Sequence, residues 1–307
     1  MDLYLKIATQ IKQFFKHDAI APLEIEGKIL RIEVPIPHID PLSWLARQQS
    51  DVKTYWADRQ GQFMMAGVGS IDTISSNLPI VYSHIFGQLR QNLSSLFPHV
   101  RYYGGIGFDR SGCIDPSWEL FGSYRFVVPR FEIWTDGTET FFACNCWGKF
   151  GSAQQDRELD LILAELIDLD LTQLEIAVEP PVQIARLDTP NRYDWSQNVD
   201  LALAKFAELQ LKKVVLARKS TLTFASHLQP QLLLLLLQPN NHTSYHFCFQ
   251  INSTTAFIGT SPERLYYRHD RLLKTEAIAG TRHRGLQMHN NYSTWILQQC
   301  HPTRKSL

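Results

Sequence analysis

Residues Lys213–Arg218 read KVVLAR, and residues Phe257–Leu265 read FIGTSPERL. Four apolar residues between charged ends make the first a buried-strand pattern. The second is a strand, Ala256–Ser261, that breaks into a tight polar turn at Pro262. Outward from these, Tyr245–Gln250, Leu265–Arg268 and Leu272–Ala277 are further strand candidates, and Ala279-Gly280-Thr281 follows the last. Asp194–Leu211 carries apolar residues at mostly helical spacing. The leucine string Leu232–Leu237, bounded by Pro230 and by Gln238-Pro239, reads as a short buried helix.

The first half holds the same kinds of element. Asp2–Phe15 and Asp156–Ile167 have helical periodicity, and Phe86–Leu96 is read as a helix. Ile29–Pro37 alternates as a strand, and Asp40-Pro41 opens a short helix, with Asp40 as its cap. Thr54–Trp56 and Phe63–Gly69 are strands joined by a turn around Asp58–Gly61. Arg101–Phe108, Tyr124–Trp134 and Thr138–Trp147 are aromatic-rich strand candidates, and Glu179–Pro190 is a proline-containing connector. The order predicts an α/β (α+β) chain with a large mixed sheet and helices outside it.

Composition sets outer bounds. The 307 residues are 44 % hydrophobic and 20 % charged, with zero formal net charge, an ordinary globular balance. Zero net charge argues against non-specific nucleic-acid binding, which needs a positive surplus. No apolar run approaches the ~20 residues that span a bilayer, so no membrane association is expected. The five cysteines are sparse and irregular, which favours reduced thiols and a cytoplasmic location.

Several residues invite a chemical reading, each beside a plainer one. Gly104-Gly105-Ile106-Gly107 lacks the helix start of a dinucleotide site and reads better as close backbone packing in a sheet. Cys144 and Cys146 share one strand face without further zinc ligands nearby. His246 reads as a structural strand histidine. Lys213 either snorkels to solvent or, in a closed pocket, becomes a general base with a lowered pKa. Glu263 either pairs with a neighbour or serves as a general acid. Gly280 permits backbone N–H groups to approach an anion.

KVVLAR, then YHF (Tyr245–Phe247), then FIGTSPERL, then TEAIAGT (Thr275–Thr281) stand in the order found in the chorismate-utilising enzymes, and the chain resembles that superfamily. VPIPHIDPLSWLARQQSDVKTYWADR (Val34–Arg59), GGIGFD (Gly104–Asp109) and VVPRFEIW (Val127–Trp134) resemble the menaquinone-pathway isochorismate synthases. The resemblance implies the chorismate-binding fold of anthranilate synthase component I. It divides the chain into an N-terminal lobe (1–180), the first part of a chorismate-binding catalytic domain (190–285) and a tail without family pattern (286–307).

The resemblance also implies roles. Water-adding members carry lysine where this chain has Lys213, and Ala279 stands where the aminodeoxychorismate synthases carry a nucleophilic lysine. Both positions imply water as the nucleophile and isomerisation of chorismate to isochorismate. Lys213 is then the general base, Glu263 the general acid, and Ala279, Gly280 and Thr281 contact substrate. A magnesium ion at the substrate carboxylate is implied as well. The pattern fades after Gly285, and Leu286–Leu307 contains no acidic residue. The expectation is a chain that stops before the metal-binding glutamates, with a poorly packed tail and impaired activity. Salicylate synthase, which shares the lysine and glutamate, and a non-catalytic fragment are the alternatives.

Overall fold

The computed structural model describes residues 2–16, 25–108, 116–148, 152–172 and 179–276. Its helices are α1 (Leu3–Lys16), α2 (Pro41–Arg47), α3 (Tyr82–Gln91), α4 (Ser152–Ile167), α5 (Arg192–Ala207) and α6 (Pro230–Leu237). The strands of the first half are β1 (Ile29–Ile36), β2 (Lys53–Ala57), β3 (Met64–Val68), β4 (Asp72–Ser76), β5 (Tyr103–Ile106), β6 (Tyr124–Val128), β7 (Phe131–Thr135) and β8 (Thr140–Trp147). Those of the second are β9 (Gln183–Thr189), β10 (Lys219–Phe224), β11 (Tyr245–Asn252), β12 (Thr255–Ser261), β13 (Tyr267–His269) and β14 (Leu272–Lys274).

Seven strands form the central sheet in the order β1-β8-β7-β3-β2-β11-β12, and every ladder in it is antiparallel. Side chains alternate between two faces. On one face Leu30, Ile32, Val34, Phe131, Ile133, Phe142, Cys144, Cys146 and Cys248 form the main core. Helices cover this face. Ile7 and Ile11 of α1, Leu42 and Leu45 of α2, Ile162 and Leu166 of α4 and Leu234 of α6 are buried against it. Asp40 caps α2, accepting from Ser43 N at 2.7 Å, and Pro41 fills the first helical position. Arg130 ties α4 to the sheet through Glu158 (2.7 Å) and Glu165 (3.0 Å).

The other face carries a smaller antiparallel sheet, β4-β6-β5. Tyr103 of β5 packs with Met65, Trp134 and Ala143, and Val128 of β6 packs with Ile29 and Val100. Between these layers lies a buried ionic cluster. Arg31 donates from Nη1 to Glu132 Oε1 and from Nε to Glu33 Oε1, both at 2.7 Å. Asn145 Nδ2 donates to the same Glu132 oxygen at 2.7 Å and to Pro129 O at 2.8 Å. Burial opposes the charge of Arg31, but the pull of Glu132 and the bond to Glu33 outweigh it and hold the guanidinium above its ordinary pKa. Burial also opposes the Glu33 carboxylate. Hydrogen bonds from Arg31 and His99 outweigh it and hold its pKa below the ordinary value.

Four sequence expectations need correction. The run Tyr124–Trp134 is two strands in two sheets, because Pro129 has no N–H for a ladder and the chain turns there. The helix placed at Phe86–Leu96 spans Tyr82–Gln91. The connector Glu179–Pro190 contains β9, paired with β10. KVVLAR is not a buried strand: its residues form no ladder, and Val215 is 80 % exposed. The β9–β10 ladder ends at Lys219↔Thr189, where Pro190 follows Thr189 and cannot donate to Arg218.

Replacing Arg31 by methionine leaves the Glu132 carboxylate buried without its ion partner, and is expected to cost about 3–5 kcal/mol. Arg31→Met with Glu132→Leu should be less destabilised, as read by urea unfolding. Glu33 has a depressed folded-state pKa, so its contribution is complete above its unfolded pKa of about 4.3 and is lost as pH falls through the lower folded value. Glu33→Gln should therefore flatten the acid limb of the stability curve.

Candidate active site

Glu263 stands on the turn after β12. Ser261 closes this turn: its Oγ donates to Glu263 O at 3.1 Å and accepts from Glu263 N at 3.3 Å. The Glu263 side chain is exposed. Beside the turn, Arg59 Nη1 donates to Pro262 O at 3.1 Å and Nη2 to Glu276 Oε1 at 2.7 Å. Arg264 Nη2 reaches the same Glu276 oxygen at 2.5 Å. Two guanidinium groups thus share one carboxylate, that of Glu276.

Lys213 follows α5 on an extended, exposed segment. Of the two readings open for Lys213, the described residues show the solvent-facing one, and Glu263 is exposed as well. The surrounding β9, α5 and β10 are also largely uncovered, with Ile184, Leu187, Leu201, Leu203 and Leu222 all exposed. Ala279, Gly280 and Thr281 lie outside the described residues, as does everything after Gly285. Among the described residues no group of three or more His, Cys, Asp or Glu side chains could hold a metal ion. No described helix is long and apolar enough to cross a membrane.

A cavity of about 740 Å³ lies between the two sheets. Phe247, Phe249 and Phe257 line it from β11 and β12, and Trp118 and Phe121 from the loop before β6. Trp118 meets Phe257 edge-on with centroids 4.8 Å apart. Among the described residues Arg125 is the charged residue of the lining, and burial lowers its pKa below the ordinary arginine value. Lys213 and Glu263 are not part of this wall.

The plainer readings of three other motifs agree with the structure. Gly104 packs so tightly that a Cβ would lie 1.9 Å from the Arg125 carbonyl oxygen. His246 is buried on the helix side of β11, its Nε2 3.1 Å from Asn241 O, and burial lowers its pKa. Cys144 and Cys146 are buried together in the main core, and burial pushes the Cys144 thiol up. Arg59 and Glu276 lie within the quoted stretches Val34–Arg59 and Thr275–Thr281, which assign neither a role of its own. Their partnership spans 217 residues and has no local signal.

The fold and these motifs define a class of protein. Residues 17–297 match the chorismate binding enzyme family, and the chain belongs to that family. Among curated proteins it is 28 % identical to the isochorismate synthase MenF of Escherichia coli (strain K12), over 81 % of this chain and 54 % of that protein. It is 27 % identical to the chloroplastic isochorismate synthase of Catharanthus roseus, over 85 % of this chain and 52 % of the relative. The chain therefore spans about half the length of the curated relatives it matches. The solved structure of the menaquinone-specific isochorismate synthase MenF from E. coli superposes with a TM-score of 0.68 at 26 % identity, covering 89 % of this chain and 59 % of that one.

Gly104 offers a direct check of the packing at the cavity. Gly104→Ala should force β5 off β6 and cost on the order of 1–3 kcal/mol in thermal or urea unfolding. Gly105→Ala, which meets nothing within 4 Å, should stay within about 0.5 kcal/mol of the parent.

Proposed function

We propose that this chain carries the general base and general acid of an isochorismate synthase. Water attacks C2 of chorismate as Lys213 takes its proton, the ring double bonds shift, and Glu263 protonates the hydroxyl leaving C4. One hydroxyl enters, one leaves as water, and no redox step is needed. The observation that supports this reading most is Lys213 at the head of KVVLAR together with Ala279 in TEAIAGT, in a chain similar to isochorismate synthases over most of its length.

The two groups must begin in opposite states, a neutral amine and a protonated carboxylic acid. Removal from water favours both neutral forms. In the described structure both are exposed, so slow turnover by this chain is the expected behaviour. Magnesium, which the family resemblance implies, finds no ligand group among the described residues, and no step above runs through it. The buried cysteines Cys144, Cys146 and Cys248, none in a disulfide among the described residues, support a reducing, cytoplasmic setting.

Purified chain incubated with chorismate and magnesium is expected to release isochorismate slowly, with each of Lys213→Ala and Glu263→Gln lowering the rate by about 10²–10⁴-fold. Release of salicylate with pyruvate would replace this reading by a salicylate synthase. No product at all would make the chain a non-catalytic fragment.

A further inference from the structure

We propose that Arg59 is the positioning residue of the Glu263 turn, an inference that rests on the role given to Glu263 above. Arg59 leaves the end of β2 on a backbone fixed by Asp58. The Asp58 carboxylate accepts from Gln60 N (3.0 Å), Gln62 N (2.9 Å) and Phe63 N (3.2 Å), and Gly61 takes a positive φ of 66° within the same turn. The guanidinium then lies over the Tyr245 ring, 5.1 Å from its centroid. Tyr245 pairs with Ser261 across the β11–β12 ladder, so the arginine is held at the strand end from which the turn departs.

From there the guanidinium grips the turn twice. Nη1 holds Pro262 O, the carbonyl whose peptide carries the Glu263 amide. Nη2 holds Glu276, which in turn holds Arg264, the residue after Glu263. Glu263 is therefore flanked on both chain neighbours by bonds that lead back to one side chain. Arg59, Arg264 and Glu276 are mostly withdrawn from solvent, with 20 %, 27 % and 21 % of their side chains exposed. Charge-assisted bonds at such sites resist water better than surface pairs. The two bonds leave from separate nitrogens of the planar fork, whereas lysine offers one nitrogen, so lysine should restore the grip only in part. The contact also joins sequence regions 203 residues apart, so the acid depends on the N-terminal lobe for its place.

The test compares Arg59→Gln and Arg59→Lys with Arg101→Gln, whose arginine stacks on Phe63 rather than on Tyr245. Amide exchange of Ser261, Glu263, Arg264 and Leu265 should accelerate about tenfold or more in Arg59→Gln, by an intermediate amount in Arg59→Lys, and not in Arg101→Gln, while β7 and β8 keep their protection. In the chorismate assay kcat should fall about tenfold in Arg59→Gln with KM within about twofold, and part of the loss should return in Arg59→Lys. Unchanged exchange at the turn overturns the proposal. So does a rise shared equally by β7 and β8, which would make Arg59 a general stabiliser. If the parent chain forms no isochorismate, the functional reading fails on that result, and the exchange data alone decide whether Arg59 holds the turn.

Discussion

The pairing of β11 with β2 is the constraint on which the rest of this structure hangs. It runs from His246↔Ala57 to Gln250↔Lys53 and joins segments about two-thirds of the chain apart. Side chains support the register at one end and at the middle of β2. Gln250 donates to Asp51 O at 3.0 Å, and Gln238 donates to Tyr55 Oη at 2.7 Å. A one-residue slip would invert every side chain of β11, driving Phe247 and Phe249 into the helix layer and Cys248 out of the core. Because β12 is the edge strand and, among the described strands, pairs with β11, the turn that carries Glu263 takes its place largely from this ladder.

The two faces of the central sheet solve different problems. The helix side is apolar and closely filled. The other side carries Arg31, Glu132 and Asn145 at one end and a wall of aromatic rings at the other. A fully buried carboxylate is tolerated because two partners share its Oε1 and one of them is a guanidinium. Such clusters add little net stability over a well-packed apolar core, but they penalise wrong registers heavily, since any shift strands a charge. The aromatic end is held by ring contacts such as Phe247 with Phe257, centroids 5.2 Å apart, which tolerate an open space beside them.

The chemistry proposed for this chain needs a dry site, and the region of β9, α5 and β10 is wet. Leu187, Leu201, Leu203, Val214 and Val215 are exposed, and Lys213 is exposed with them. Covering the same surface would exclude water and favour the neutral amine in one event, which is why the folding of this family and its acid–base chemistry are a single physical problem.

Much of this was determined by the sequence alone. Alternation marked β1, β2 and β12, the aspartate-proline pair marked α2, and 3.6-residue spacing marked α1 and α4, because these signals are local and depend on one face being buried. The four ordered motifs carried the family and the identities of Lys213 and Glu263. What local pattern could not decide was anything set by a distant partner. KVVLAR has the composition of a buried strand, yet burial depends on what lies against it, and here β9 stops at a proline. YRFVVPRFEIW reads as one strand, yet its halves belong to two layers. Arg59, Arg264 and Glu276 are ordinary surface residue types in sequence. Only the ladder that brings β2 beside β11 sets them around one turn, because hydrogen bonds between residues some 200 positions apart exist only once the sheet has closed.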